Sequence, residues 1–395
     1  MSKVEIISFE VVSGTDKCSG SFLVDGVEVT SKLISHHIWL RDHCHCTSCY
    51  HGVTRQRLQN SCEIPRNIAP ISISVENDFI TITWTDGHEG EYQILWLVSH
   101  SYFPKIELRN PKQLTLPRTL WNVAKIKAEL PTVDYNSVIE SEKGVAEWCS
   151  KIWEYGFCLV ENVPVSPEVT EKLIERIAFI RPTHYGGFWD FTADLKVNDT
   201  AYTDIAIPLH TDGTYFTDPP GLQLFHLLKH TGTGGVTTLC DSFQAAKFLR
   251  EKYPESYDTL SRVLVPAHSA GEDSTFIQPS YPRPILCHDN KGELIQVRWN
   301  ISDRSTLQFD DPEDVPRFYE AIGHWNEIIE SEKNEFYHTL KPGQCLIFDN
   351  WRVFHSRRNK FTGERRMCGG YINHDDFVSR LKLSNLERAD LLDTL

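Results

Sequence analysis

The chain has 395 residues, 40% hydrophobic and 24% charged, a globular balance with length for one large domain and a smaller one. Its net charge of −14, without a Lys/Arg run, argues against nucleic-acid partners, and no apolar run approaches the roughly 20 residues that span a bilayer. Eleven cysteines, an odd and uneven set, do not make a secreted disulfide framework.

From the N-terminus, residues 4–12 and 21–29 alternate and carry turn signals at Ser13-Gly14 and Asp25-Gly26, so both are read as strands. The opening residues include Glu5 and no Arg-rich amphipathic stretch. That is neither a signal nor a transit pattern, and it sets a cytoplasmic expectation. Residues 79–84 alternate as a further strand and run into the turn Thr85-Asp86-Gly87-His88. Residues 1–105 therefore read as a small β-rich domain with little room for a large core.

That domain carries Cys44, Cys46 and Cys49 within six residues. Three thiolates on a short loop suit structural zinc, which takes a fourth Cys or His. His88, on its hairpin turn, is the candidate; His43, His45 and His51 compete, although close neighbours in a tight loop reach one ion poorly. The alternative is three reduced thiols without metal.

Residues 106–131 hold Pro111, Pro117 and Pro131, with Trp121 in a short helix-like stretch, and read as a connector. The large domain is placed at 132–395. Its first helix is expected over 143–154, with Val145, Trp148, Cys149 and Ile152 at helical spacing and Gly156 at its end. A buried strand follows at 157–160, then a helix over 167–176 capped by Ser166 with Pro167 at its first position. Strands are expected at 222–228, 236–241 and 344–348. The expected fold is mainly β with flanking helices, a barrel or sandwich buttressed by helices. The run Gly232-Thr233-Gly234-Gly235 lacks the Lys-Ser/Thr ending of a nucleotide loop and reads as a turn.

The chemistry centres on His210-Thr211-Asp212 and the distant His355. On an extended strand, residues two apart face one way, so His210 and Asp212 reach one ion. Two imidazoles and a carboxylate on one face suit non-haem Fe(II), because they leave positions open for substrates. Ten residues past His355 stands Arg365, and Arg prefers bidentate carboxylate partners. A 2-oxo diacid chelating iron at one end offers such a carboxylate, to which Thr237 also donates. A zinc hydrolase, the competing metal reading, leaves Arg365 unexplained.

Tyr185 and Trp189, four apart, stack if that segment is helical. With Tyr202 and Tyr371 they suggest a cation–π cage for a quaternary ammonium; ordinary aromatic core packing is the bland reading. Asp199 lies among them, a partner for a second cationic group.

These pieces resemble the 2-oxoglutarate-dependent dioxygenases of carnitine biosynthesis, the γ-butyrobetaine/trimethyllysine dioxygenase family, over nearly the full length. The resemblance rests on Trp39-Leu40-Arg41-Asp42 with the Cys cluster, Trp84-Thr85-Asp86-Gly87-His88, residues 157–164, His210-Thr211-Asp212, residues 229–235 and Asp349-Asn350-Trp351-Arg352. It implies a double-stranded β-helix (jelly-roll) core and a zinc-stapled N-terminal domain. It implies iron at His210, Asp212 and His355, 2-oxoglutarate at Arg365, and zinc at Cys44, Cys46, Cys49 and His88. It implies a trimethylammonium cage at Tyr185, Trp189, Tyr202 and Tyr371, and a homodimer. Asp199, Thr214-Tyr215-Phe216 and Phe361-Thr362-Gly363 look like the trimethyllysine branch, whose substrate has an α-ammonium for Asp199; γ-butyrobetaine has none. The implied reaction is C3 hydroxylation of free trimethyllysine with O2, giving succinate and CO2, with ascorbate keeping iron ferrous. Animal members of that branch are mitochondrial, the alternative to the cytoplasmic expectation. A zinc-stapled interaction module is the non-enzymatic rival.

Overall fold

The computed structural model describes residues 3–29, 32–106, 116–192 and 206–393. It divides into two compact units, Met1–Leu114 with Ala389–Leu395, and Thr115–Arg388. The grouping of 389–395 with the first unit departs from a large domain running to residue 395.

In the first unit, Lys17–Val24 pairs with Val4–Val11, Val27–Glu28 and Leu33–His36, and Phe79–Trp84 pairs with Pro70–Glu76 and Glu89–Gln93. The strand expected over 21–29 is broken because Asp25 and Gly26 both adopt positive φ, 53° and 77°, the hairpin turn that fits strand twist. Alternation works as expected in Phe79–Trp84, where Ile80, Ile82 and Trp84 are buried. With Phe22, Leu33, Leu40 and Leu97 they form a continuous core, larger than the sequence suggests. It is assembled from both sheets, and no one segment shows it.

The second unit is a double-stranded β-helix with flanking helices. A six-stranded sheet runs Thr132–Asp134, Phe157–Glu161, Cys345–Asp349, Leu222–His230, Arg365–Ile372, Trp189–Thr192. A four-stranded sheet runs Ile207–His210, Val353–Arg357, Thr237–Asp241, Phe336–His338. Phe157, Leu227, Phe348 and Met367 of the first sheet meet Leu239, Val353 and Phe336 of the second in one buried cluster.

Helices cover the outsides. Glu142–Tyr155 starts at Ser141, whose hydroxyl accepts the Gly144 amide at 3.0 Å, and ends at Gly156, φ 78°. A Cβ at Gly156 would lie 2.5 Å from Val353, so glycine is required there on two counts. Its buried stripe of Val145, Trp148, Cys149 and Ile152 packs on the six-stranded sheet. Pro167–Glu175 begins at its Ser166 cap. Trp121 lies outside the short helix Val123–Ala128. Its amide is bound by Asp241 Oδ2 at 3.0 Å and its indole N–H by the Tyr155 carbonyl at 2.5 Å, which holds the chain extended until Asn122 caps the helix.

Candidate active site

Strand pairing brings the two histidines together. His210 is directly opposite His355 in the antiparallel ladder, and their ring centroids are 4.2 Å apart. Asp212 does not share the strand of His210, which ends at that residue. The Thr211 amide turns away to the Trp299 carbonyl at 2.8 Å. Asp212 takes its direction from Asn350, whose Oδ1 accepts the Asp212 amide at 2.7 Å and whose Nδ2 donates to the Asp212 and Pro220 carbonyls at 2.9 and 3.0 Å. The outcome matches the two-apart argument, but the cause is a buried amide from a segment far along the chain.

Oδ1 of Asp212 lies 3.1 Å from His210 Nε2 and 3.8 Å from His355 Nε2. One ligand atom from each residue fits within 4.8 Å of the others. Nδ1 of His210 is 2.8 Å from the Pro208 carbonyl. A carbonyl only accepts, so Nδ1 carries a proton, and Nε2 is the atom turned to Asp212 and left to face a metal. Burial, reinforced by the charge on His210, pushes His355 down to about 3 and keeps it a neutral donor. Burial opposes ionisation of Asp212, yet the bond to His210, the charge on that imidazole and a bond from Tyr371 hold it well below the carboxylate range. For His210, burial is outweighed by Asp212, and the imidazole is pushed up. A divalent cation would displace that proton, and two imidazoles with one anionic oxygen are the donor set of Fe(II).

One wall of the adjoining cavity is cationic. Arg365 opens the strand Arg365–Ile372. Arg357 lies two residues after His355 on the same strand face, with Thr237 opposite it in the ladder. Both guanidiniums sit over the Phe361 ring, 5.6 and 5.4 Å from its centroid. Burial, then the charge of Arg357, pushes Arg365 down to about 10. Two cations side by side, Arg357 buried and Arg365 half-buried, favour a carboxylate partner. Sequence reading missed Arg357, although its period-two relation to His355 was a usable signal.

Another part of the cavity lining is aromatic. Trp189 and Tyr371 meet edge-on with centroids 4.7 Å apart. Gly369 makes this possible, since a Cβ there would lie 2.9 Å from the Trp189 ring. Tyr185 also lines the cavity, and its hydroxyl accepts from Tyr215 at 3.2 Å. Tyr185 and Trp189 are not stacked on a helix. Thr183 and Gly186 form an isolated bridge, with Gly186 at φ 95°, and Trp189 begins a strand. Asp199 and Tyr202 fall outside the described residues. The cavity of about 160 Å³ thus joins His210, Asp212 and His355 to Thr237, Arg357 and Arg365 on one side and to Tyr185, Trp189, Tyr215 and Tyr371 on another. Asn300 and Asp303 also line it.

In the first unit, Nε2 of His88 lies 3.3, 3.6 and 3.5 Å from the sulfurs of Cys44, Cys46 and Cys49. A tetrahedral zinc site has N···S edges of about 3.5 Å, so the set fits that ion. His43, His45 and His51 are turned elsewhere, onto Trp39, Tyr50 and Thr54. Burial pushes the Cys44 thiol up to about 12; Cys46 is also opposed by burial, but bonds from Ser48 and the Cys49 amide bring it down to about 7. All eleven cysteines are free thiols.

Residues 114–371 match the taurine catabolism dioxygenase TauD, TfdA family, and residues 28–98 match the gamma-butyrobetaine hydroxylase-like N-terminal family. Trimethyllysine dioxygenase of Meyerozyma guilliermondii is 54% identical over 368 residues, 91% of this chain and 92% of its own. The mitochondrial trimethyllysine dioxygenase of Homo sapiens is 40% identical over 89% of this chain and 83% of its own. The gamma-butyrobetaine dioxygenase of Pongo abelii is 29% identical over 88% and 90%.

Proposed function

The chain belongs to the TauD/TfdA dioxygenase family and, within it, to the trimethyllysine dioxygenases, and from that premise we propose that it hydroxylates free N6,N6,N6-trimethyl-L-lysine at C3, as the first step of carnitine biosynthesis. The carrying observation is one cavity with a two-histidine, one-carboxylate set at its base, a doubly cationic wall and an aromatic wall.

The iron is assigned to His210, Asp212 and His355. With 2-oxoglutarate and O2 it supplies the oxidising chemistry, in which the oxo acid becomes succinate and CO2 and one oxygen atom enters the substrate C–H bond. The chain's own share is placement. Arg365 and Arg357 hold the far carboxylate of 2-oxoglutarate, with Thr237 donating to it. Tyr185, Trp189 and Tyr371, joined by Tyr202 and Asp199 in the substrate set, hold the trimethyllysine. Tyr371 donates to Asp212 and keeps that carboxylate ionised and oriented.

Ascorbate is the proposed reductant that keeps iron ferrous. Structural zinc is assigned to Cys44, Cys46, Cys49 and His88, and stapling there would be inert chemically. A homodimer is proposed from the family resemblance and is checked by light scattering. For the compartment, the names of the mammalian relatives favour the mitochondrial alternative over the cytoplasmic expectation; imaging a C-terminal fluorescent fusion decides between them.

The test is anaerobic reconstitution with Fe(II) and 2-oxoglutarate, then admission of air with each betaine in turn. Succinate release is expected with trimethyllysine. Release only with γ-butyrobetaine would replace the substrate assignment, and release with neither would remove the enzymatic reading for these ligands.

A further inference from the structure

Arg41, in the segment Trp39-Leu40-Arg41-Asp42, is a buried cation of the first unit, 4% exposed. It stands on the short helix His37–Asp42, three residues before Cys44. Arginine is seldom buried without an anion beside it. Three segments hold its guanidinium at once. Nε donates to Asp86 Oδ2 at 2.8 Å, Nη2 to Gln59 Oε1 at 3.4 Å, and Nη1 to the Cys49 sulfur at 3.4 Å.

These partners are themselves tied to the cluster of Cys44, Cys46, Cys49 and His88. Oδ1 of Asp86 accepts the His88 amide at 3.0 Å, so one carboxylate fixes both the turn that carries the histidine and the fork that faces the sulfur. The Gln59 amide donates to the Cys49 carbonyl at 3.2 Å, beside that of Leu58 at 2.8 Å. In the ion pair the Asp86 side chain is 18% exposed and that of Arg41 5%. The carboxylate is therefore the better hydrated partner, and the fork reaches the buried sulfur of Cys49.

The chemistry of the donor set asks for such a cation. Zinc with three thiolates and a neutral imidazole leaves one negative charge over, carried largely by sulfur. Buried, that charge is costly without a counter-charge. A guanidinium on the thiolate supplies it and draws on the sulfur lone pairs. Against neutral thiols the same fork gains little, because a thiol is a weak acceptor.

We infer that Arg41 is a positioning residue of the zinc site: its guanidinium, aimed by Asp86 and Gln59, hydrogen-bonds the Cys49 thiolate and stabilises the metal-bound form over the metal-free one. The inference rests on zinc at Cys44, Cys46, Cys49 and His88.

The experiment uses the full-length chain. Zinc affinity is read by competition with a chromophoric chelator. Co(II) in place of zinc gives a thiolate-to-metal charge-transfer band, which the histidine–carboxylate set of the second unit cannot produce. Arg41→Met keeps the length of the stem and removes the fork. It is expected to weaken zinc by about ten- to a hundredfold. The band should move to lower energy, because the Cys49 lone pair is no longer held by N–H donors, while the tetrahedral d–d absorption stays and shows the site intact. Arg41→Lys keeps the charge without the planar fork, so intermediate values are expected for both readouts, and it carries the test alone where Arg41→Met does not fold. Unchanged zinc affinity overturns the assignment. Weaker zinc with an unmoved band makes Arg41 a residue of the fold only and also overturns it. Wild-type protein that takes up no zinc and shows no charge-transfer band with Co(II) overturns the zinc reading itself, which is a separate failure.

Discussion

The hydroxyl of Tyr371 donates to Oδ2 of Asp212 at 2.7 Å, while the ring of the same residue meets Trp189 edge-on at 4.7 Å. One side chain therefore serves both the metal set and the aromatic wall, and these roles separate chemically.

Tyr371→Phe keeps the ring and removes the bond to Asp212. Fe(II) affinity, read by anaerobic titration, is expected to fall about tenfold, as for other supporting contacts to metal ligands. Trimethyllysine affinity should stay within a few-fold. An unchanged iron titration would remove the positioning role of the hydroxyl.

Arg365→Ala should raise the KM for 2-oxoglutarate by about ten- to a hundredfold, the worth of a charge-assisted contact. Arg365→Lys keeps the charge and loses the planar fork, so an intermediate value is expected. Steady-state kinetics at saturating trimethyllysine give the comparison. A KM that rises for trimethyllysine instead would place Arg365 on the substrate side.

Metal analysis of the purified protein should find one zinc per chain in addition to iron. Cys46→Ser should lose it and lower the thermal midpoint of the first unit by several degrees, since binding at such a site is folding free energy. A zinc-free wild type with an unchanged midpoint would leave the cluster as reduced thiols.

His226 offers a pH test away from the metal sites. It is fully buried, its Nδ1 lies 2.6 Å from Thr170 Oγ1, and the Thr170 hydroxyl itself donates to Ser166. Burial pushes this imidazole from 6.5 down to about 4. The unfolded chain therefore takes up the proton first as pH falls. Stability present above pH 6.5 is lost on the way to pH 4, by up to about 3 kcal/mol. The stability difference between wild type and His226→Leu, from urea unfolding, should shift by that amount in favour of the variant. A difference independent of pH would show that His226 does not titrate on unfolding in this window.

Much of this site was legible because local rules held. The alternation of Phe79–Trp84, the Ser166 cap, Gly156 as a helix end and the spacing of Cys44, Cys46 and Cys49 each follow from their own few residues. The H-x-D triplet with His355 was legible as a donor set. Its geometry was not, because Asp212 is aimed by Asn350 and Thr211 is tied to Trp299, 88 positions away. Tyr215 was noted only within Thr214-Tyr215-Phe216 and not as a cavity residue, because its place in the lining is set by long-range packing and no period in the chain shows it. The Tyr185–Trp189 spacing misled because four-apart residues share a face only if the backbone is helical, and Gly186 takes the chain out of that region.

The preference of this cavity for trimethyllysine over γ-butyrobetaine is open to direct test. The direct measurement is a competition: both ligands at equal concentration, enzyme with Fe(II), 2-oxoglutarate and ascorbate in air, products read by mass spectrometry and NMR. The account predicts that trimethyllysine gains one oxygen atom, at C3, well ahead of any carnitine. Carnitine as the main product, or oxygen entering trimethyllysine at another carbon, would contradict it.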